Sequence, residues 1–240
     1  MKTDVMPVRR NLEFNLPESR IGDWHADGVH VSHFFNAMSL FFPDGERFFI
    51  DSVRAYRDEI HDPELKEAVR GFIGQEAMHG REHEEYNEAL EKRGMPANRN
   101  SRMILGLLNF TRKIESRAGQ LAITIALEHL TAILADVVLR EPRVLEGAEP
   151  RFAALWRWHA MEETEHKAVA FDVYQATVGK GPVAYFRRCF ALLMATLIFW
   201  IMVIPIHIDM VRREGKLFSL SGWWGAMKFL WGKPGALRRV

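Results

Sequence analysis

Two stretches of this 240-residue chain place the same residue types at matching intervals. Glu46 is followed by 28 residues and then Gln75-Glu76-x-x-His79; Glu128 is followed by 33 residues and then Glu162-Glu163-x-x-His166. Glu-x-x-His is one helical turn, so both side chains leave the same face and can grip one metal ion. Doubled on a four-helix bundle, the unit sets four carboxylates and two imidazoles around one central point. Glu46, Glu76, His79, Glu128, Glu163 and His166 therefore read as ligands of two metal ions.

Charged residues on helices usually face water, so the alternative is a set of solvated acids with no site. Helical spacing argues against it. Val69, Phe72, Tyr86 and Leu90 share the face of Glu76, and Leu121, Ile125 and Ala135 that of Glu128. Phe49 and Val53 accompany Glu46, and Trp156, Val173 and Tyr174 accompany Glu163 and His166. Burying unpaired carboxylates costs several kcal/mol each even after relaxation. Only Arg57 and Lys167 share those faces, whereas two divalent cations would balance four carboxylates. A carboxylate-rich donor set with a few histidines suits iron or manganese, with zinc third.

His159 lies four residues before Glu163, on the same face, and reads as a further ligand or as a residue supporting one. His83, four after His79, is the equivalent position on the second helix; ligand and ordinary buried histidine both stay open there. Glu162 and Glu165 flank the ligand face on either side. Each could move protons in catalysis, and Glu162 could instead bond a ligand imidazole or face solvent. His25, His30, His33 and His129 have no such placement.

The elements that must position these residues are helices. Residues 1–26 form an arm broken by Pro7, Pro17 and Gly22; residues 27–182 form the metal-binding helical bundle; residues 183–240 are apolar and basic. A short helix is expected over Val29 to Leu40, then bundle helices from Pro43 to about Ile60 and from Asp62-Pro63 to about Arg93. A third starts near Arg102 or Asn109 and ends at Leu139, and a fourth runs from Pro150 to about Val178. A fifth, apolar helix covers Val183 to Arg213, and a short aromatic one Trp223 to Trp231. Pro205 should kink or end the fifth.

A net charge of +1 argues against a nucleic-acid partner. The single Cys189 excludes an intramolecular disulfide framework, and Met1-Lys2-Thr3-Asp4 opens no apolar signal core, so the metal domain is expected in the cytosol. Cys189 to Ile206 is 18 residues without a formal charge, about 27 Å as a helix and close to the thickness of a bilayer core. Arg212, Arg213, Lys216, Lys228, Lys233, Arg238 and Arg239 follow it. Basic flanks prefer the cytoplasm, so attachment to the cytoplasmic membrane surface is expected, in-plane or re-entrant, with Trp223, Trp224 and Trp231 at the interface. The alternative is a helix buried in the domain or at a homodimer interface.

Phe42-Pro43-Asp44-Gly45-Glu46-Arg47-Phe48-Phe49, then Gln75-Glu76-Ala77-Met78-His79 with His83, Tyr86 and Asn87, then His159-x-x-Glu162-Glu163-x-Glu165-His166-Lys167-x-Val169-Ala170-Phe171-Asp172, resemble bacterial proteins described as predicted metal-dependent hydrolases. The resemblance covers about Asp27 to Arg239. The ligand spacing also resembles ferritin-like di-iron oxygenases of the p-aminobenzoate N-oxygenase type, whose additional histidine one turn before the last Glu-x-x-His is matched by His159. Together these imply an all-α, ferritin-like four-helix bundle with a di-metal centre and a C-terminal apolar helix. The expected activity is O2-dependent oxidation of a hydrophobic or lipid-like substrate, with di-iron, O2 as co-substrate and an electron donor. Hydrolysis by a metal-bridged water is the alternative, and iron binding without catalysis a second.

Overall fold

Prolines, glycines and polar caps divide the helix-forming runs into nine α-helices in the computed structural model, which describes residues 5–238. They are α1 (Val29–Ser39), α2 (Phe42–Arg54), α3 (Pro63–Lys92), α4 (Ala97–Ile114), α5 (Arg117–Arg140), α6 (Pro150–His166), α7 (Val169–Thr177), α8 (Pro182–Arg213) and α9 (Leu220–Met227). No strand occurs among the described residues. The opening Met1-Lys2-Thr3-Asp4 and Arg239 lie outside them.

The longest helix of the site, α3, starts where its sequence says it should. Asp62 accepts from the Glu64 amide at 2.9 Å, and Pro63 occupies the first turn, where no donor is required. Helix α2 packs along α3, and α5 along α6; α2 also meets α5 and α3 meets α6. These four helices thus enclose one shared interior, into which each turns its apolar stripe. A buried Ser52–Thr124 hydroxyl contact of 2.7 Å joins α2 to α5. Outside this group, α1 is held between α3 and α8, and α8 also lies along α5.

Several boundaries differ from those expected. The connection after Gly94-Met95-Pro96 is itself a helix, α4, which buries Ile104 and Leu108 and leaves Met103 and Phe110 in solvent. It ends because Glu115 turns extended and Ser116 caps a new helix by accepting from the Gly119 amide, so the expected third helix begins at Arg117. Helix α2 stops at Arg54, short of Ile60, and a 3-10 turn follows. The expected fourth helix is interrupted at Lys167–Ala168, one residue beyond His166. Pro205 does not end α8, which continues to Arg213. The aromatic segment forms α9 and then a π-turn over Lys228–Gly232.

One carboxylate ties three helices together. Glu214, capping α8, accepts from Arg93 Nε at 2.7 Å and Arg93 Nη2 at 3.1 Å at the end of α3. It also lies 3.3 Å from His33 Nε2 on α1. The Asn36 amide donates to His33 Nδ1, which leaves the His33 proton on Nε2, facing Glu214. Hydrogen bonds from His33 and Arg93 lower the Glu214 carboxyl from its ordinary 4.5 to about 2. Glu214→Gln should lose about 2 kcal/mol, a fall of roughly 5 °C in Tm for a chain this size. A depressed carboxylate stabilises above its unfolded pKa and ceases to as pH drops through its folded one. The Tm gap between wild type and variant should therefore close between pH 4.5 and about 2, as read by thermal scans across that range.

Candidate metal centre

The four-helix interior is closed at its middle by acids. Glu46 from α2, Glu76 and His79 from α3, Glu128 from α5, and His159, Glu163 and His166 from α6 are all buried. Two sets of ligand atoms, each within 4.8 Å of one another, lie at its two poles: Glu46 with His79 and His159, and Glu76 with Glu128 and His166. A third set, Glu76 with His79 and Glu163, connects them. Glu163 Oε1 lies 3.2 Å from His159 Nε2, 3.4 Å from His166 Nε2 and 3.7 Å from His79 Nδ1, so it touches the imidazoles of both poles.

The outward nitrogens of these histidines fix which way the inward ones point. The Ser39 hydroxyl donates to Asn87 Oδ1, so its oxygen is left to accept from His83 Nδ1 at 2.8 Å. His83 Nε2 is then an acceptor for His159 Nδ1 at 3.0 Å, and His159 Nε2 must present a lone pair toward Glu163. Gln75 gives its amide hydrogens to Glu165 Oε2 and Val8 O and accepts with Oε1 from His166 Nδ1 at 3.0 Å. His166 Nε2 accordingly directs a lone pair at Glu76 Oε1, 3.1 Å away. On the third histidine, Nε2 faces Glu162 Oε2 at 3.1 Å and Nδ1 faces the cluster. Carboxylate or amide backing of a ligand imidazole is how proteins orient and strengthen it.

Lone pairs facing carboxylates need a positive charge between them, and the buried oxygens of Glu46, Glu76 and Glu128 have no protein donor. Protons can supply the charge only against the acids' ordinary preference. Burial first, and then neighbouring carboxylates, push Glu46, Glu76 and Glu128 well above the usual range. Burial pushes His79 and His83 down. The donor set fits a pair of divalent cations, which would displace those protons. Metal uptake should therefore release protons, and affinity should rise with pH, as titration calorimetry in buffers of differing ionisation enthalpy would show. Acids with raised pKa favour the metal-free fold at low pH, and that contribution fades as pH rises. The Tm difference between loaded and metal-free protein should widen from pH 5.5 toward pH 8.

Not every candidate joins the cluster. His83 is set behind His159, whose ring stacks on His79 with centroids 4.2 Å apart and whose Nδ1 lies 3.0 Å from His83 Nε2, so His83 lies outside the three sets of ligand atoms and backs the His159 ring. Glu162 and Glu165 are likewise turned away from the interior. Arg10 of the N-terminal arm donates to Glu162 at 3.0 Å and, through both terminal nitrogens, to Glu165 at 2.9 and 2.7 Å. Trp158 Nε1 also donates to Glu162, at 2.9 Å. Two acids so pinned serve as anchors for His79 and, through Gln75, for His166. Residue spacing did not expose Arg10, Ser39, Trp158 or Thr131, whose hydroxyl bonds Glu163. The one available signal was charge: Glu162 and Glu165 have no basic partner on their own helix. Gly80 makes the remaining room, since a Cβ there would lie 3.3 Å from Glu46 Oε2.

Fold and centre together define an all-helical metal-binding enzyme, and comparison with known proteins agrees. The chain belongs to the family described as predicted metal-dependent hydrolase, whose model matches residues 8–240. No curated protein and no solved structure matches it.

Proposed function

We propose that α2, α3, α5 and α6 form a ferritin-like bundle holding two divalent cations, and that the chain hydrolyses an apolar, lipid-like substrate there. The observation that carries this reading is the facing of imidazole lone pairs and unpartnered carboxylates around one buried point. Two cations in that place would activate a water and polarise the bond to be cleaved. Glu76 and Glu163 would bridge them; Glu46 and Glu128 would complete the two poles.

The surroundings of Glu46 support a division of labour. On one side a polar cleft of about 360 Å³ reaches Glu46 and Glu76 past Gly80, Arg47 and Glu84, a hydrated path for cations and water. On the other, an apolar cavity of about 140 Å³ between α2, α4, α5 and α8 ends at Glu46 and Thr131. Phe42, Leu108, Leu127 and Phe199 line it and would exclude water while aligning a hydrocarbon chain. Glu46 belongs to both the cluster and the cavity wall, so a carboxylate oxygen not engaged by a cation would be placed to take a proton from the water and pass it to the leaving group. Glu162 and Glu165, held by Arg10, keep the imidazoles in place.

A second reading, O2-dependent oxidation with iron and an electron donor, is favoured by one feature. The two hydroxyls that line the apolar cavity are already engaged, Thr131 with Glu163 and Thr111 with the Leu107 carbonyl, which leaves little to hold a hydrolytic oxyanion. Long-chain esters incubated with loaded protein in ¹⁸O-water, and separately under ¹⁸O₂ with a reductant, separate the readings. Label from water in a cleaved product, without O2, is expected for hydrolysis; label from O2 in an intact chain would replace it with oxidation.

A further inference from the structure

Helix α8 is apolar on both sides, but only one side is covered. Ala184, Ala191, Val203 and Met210 are buried against the domain, along most of the helix. The opposite side carries Phe186, Phe190, Leu193, Leu197, Ile201 and Ile204, each at least half exposed and spaced by three or four residues. Such a stripe far exceeds the scattered apolar residues of an ordinary surface. It continues into the following segment, because Ile204 shares a groove with Met227 and Trp231 beside α9. A helix fixed to its own domain for most of its length cannot cross a bilayer; it can lie on one.

Charge identifies the occupant. Residues 1–179 carry 22 Lys and Arg against 29 Asp and Glu, whereas residues 180–240 carry 10 against 2. Those two acids are already engaged, Asp209 with Arg212 and Arg213, and Glu214 with Arg93. Packing α8 on α8 of a second copy would bring basic ends together with no free acid to meet them. An anionic lipid surface meets both the stripe and its basic flanks. We infer that the exposed face of α8, with Met227 of α9 and Trp231 of the turn after it, is a monotopic docking surface for an anionic bilayer, lying parallel to it. Docking is independent of the metal-centre reading, although it would set the apolar cavity, which Met194 and Ile198 of α8 help to line, next to lipid.

The full chain carries its own probe, since Cys189 is its single cysteine and is exposed on α8. An environment-sensitive fluorophore there should shift to the blue with vesicles containing phosphatidylglycerol, and much less with phosphatidylcholine alone. Flotation should give the same ranking and weaken with added salt. The double variant Phe190→Asp/Ile201→Asp, whose positions face away from the core, should bind at least about tenfold more weakly with unchanged helix content and metal content. A Glu163→Ala chain, deprived of metal, should bind vesicles as wild type does. Failure to float with either vesicle would overturn the inference, as would a detergent-free dimer that the double variant dissociates. Equal, salt-insensitive binding to both lipids would overturn the assignment of an anionic surface.

Discussion

Glu163→Ala should carry no metal, against about two ions per chain in the wild type. Glu163 is the carboxylate whose oxygen lies within 3.4 Å of both His159 and His166, so removing it opens both poles. The other acids should behave unequally. Glu76→Ala, which takes away the second connecting carboxylate, should also empty the centre. Glu46→Ala should leave about one ion, on Glu76, Glu128 and His166; Glu128→Ala should leave about one at the opposite pole. Folding should survive all four changes, because each deletes a buried charge that otherwise has to be neutralised. Elemental analysis with circular dichroism on the same samples checks the pattern. Two ions retained by Glu163→Ala would show that the cluster is not one shared centre.

Arg10→Met should produce the largest effect available from a residue that touches no metal ligand. Its guanidinium holds Glu162, which faces His79, and Glu165, which holds Gln75 and hence His166. Those hydrogen bonds raise the Arg10 guanidinium further above its already high value. Loss of the cation leaves a fully buried Glu162 without its charge partner and frees both imidazoles to rotate. Metal affinity should fall about 10–100-fold, and stability by about 2–3 kcal/mol, a partly exposed pair being worth less than a sealed one. The double variant Arg10→Met/Glu165→Gln should recover part of the stability but not the affinity, since the amide cannot restore charge. Competition with a coloured chelator measures the first quantity and denaturant unfolding the second.

The residues that gather in the buried cluster were legible in the sequence and those that hold them in place were not. One-turn spacing within apolar stripes names Glu76, His79, Glu163 and His166, because helical periodicity is local. The same periodicity gives direction around an axis but not depth. His83 shares the stripe of His79, yet only the arrival of His159 from another helix decides which imidazole reaches the interior. Arg10 sits 152 and 155 positions from its partners in an arm without periodicity. The division between α4 and α5 was marked by Ser116, a good cap, but the apolar run on either side masks it. The interruption after His166, at Lys167–Ala168, has neither proline nor glycine to announce it. Family membership and helical class followed from the same motif residues.

The arm reaches the centre through a trough cut into α3. Gly71 and Gly74 lie on the side of that helix where Pro7 and Arg9 pass, and a Cβ on Gly71 would overlap the Pro7 carbonyl oxygen, while one on Gly74 would lie 3.2 Å from the Arg9 side chain. Replacing a mid-helix glycine by alanine ordinarily strengthens a helix by about 1 kcal/mol. At Gly71 the ordinary rule inverts: a single methyl group lifts the strand of chain that carries the arginine, and the cations loosen although nothing near them has been altered. A protein engineer seeking a hardier enzyme by such swaps would obtain a stiffer rod and an emptier one.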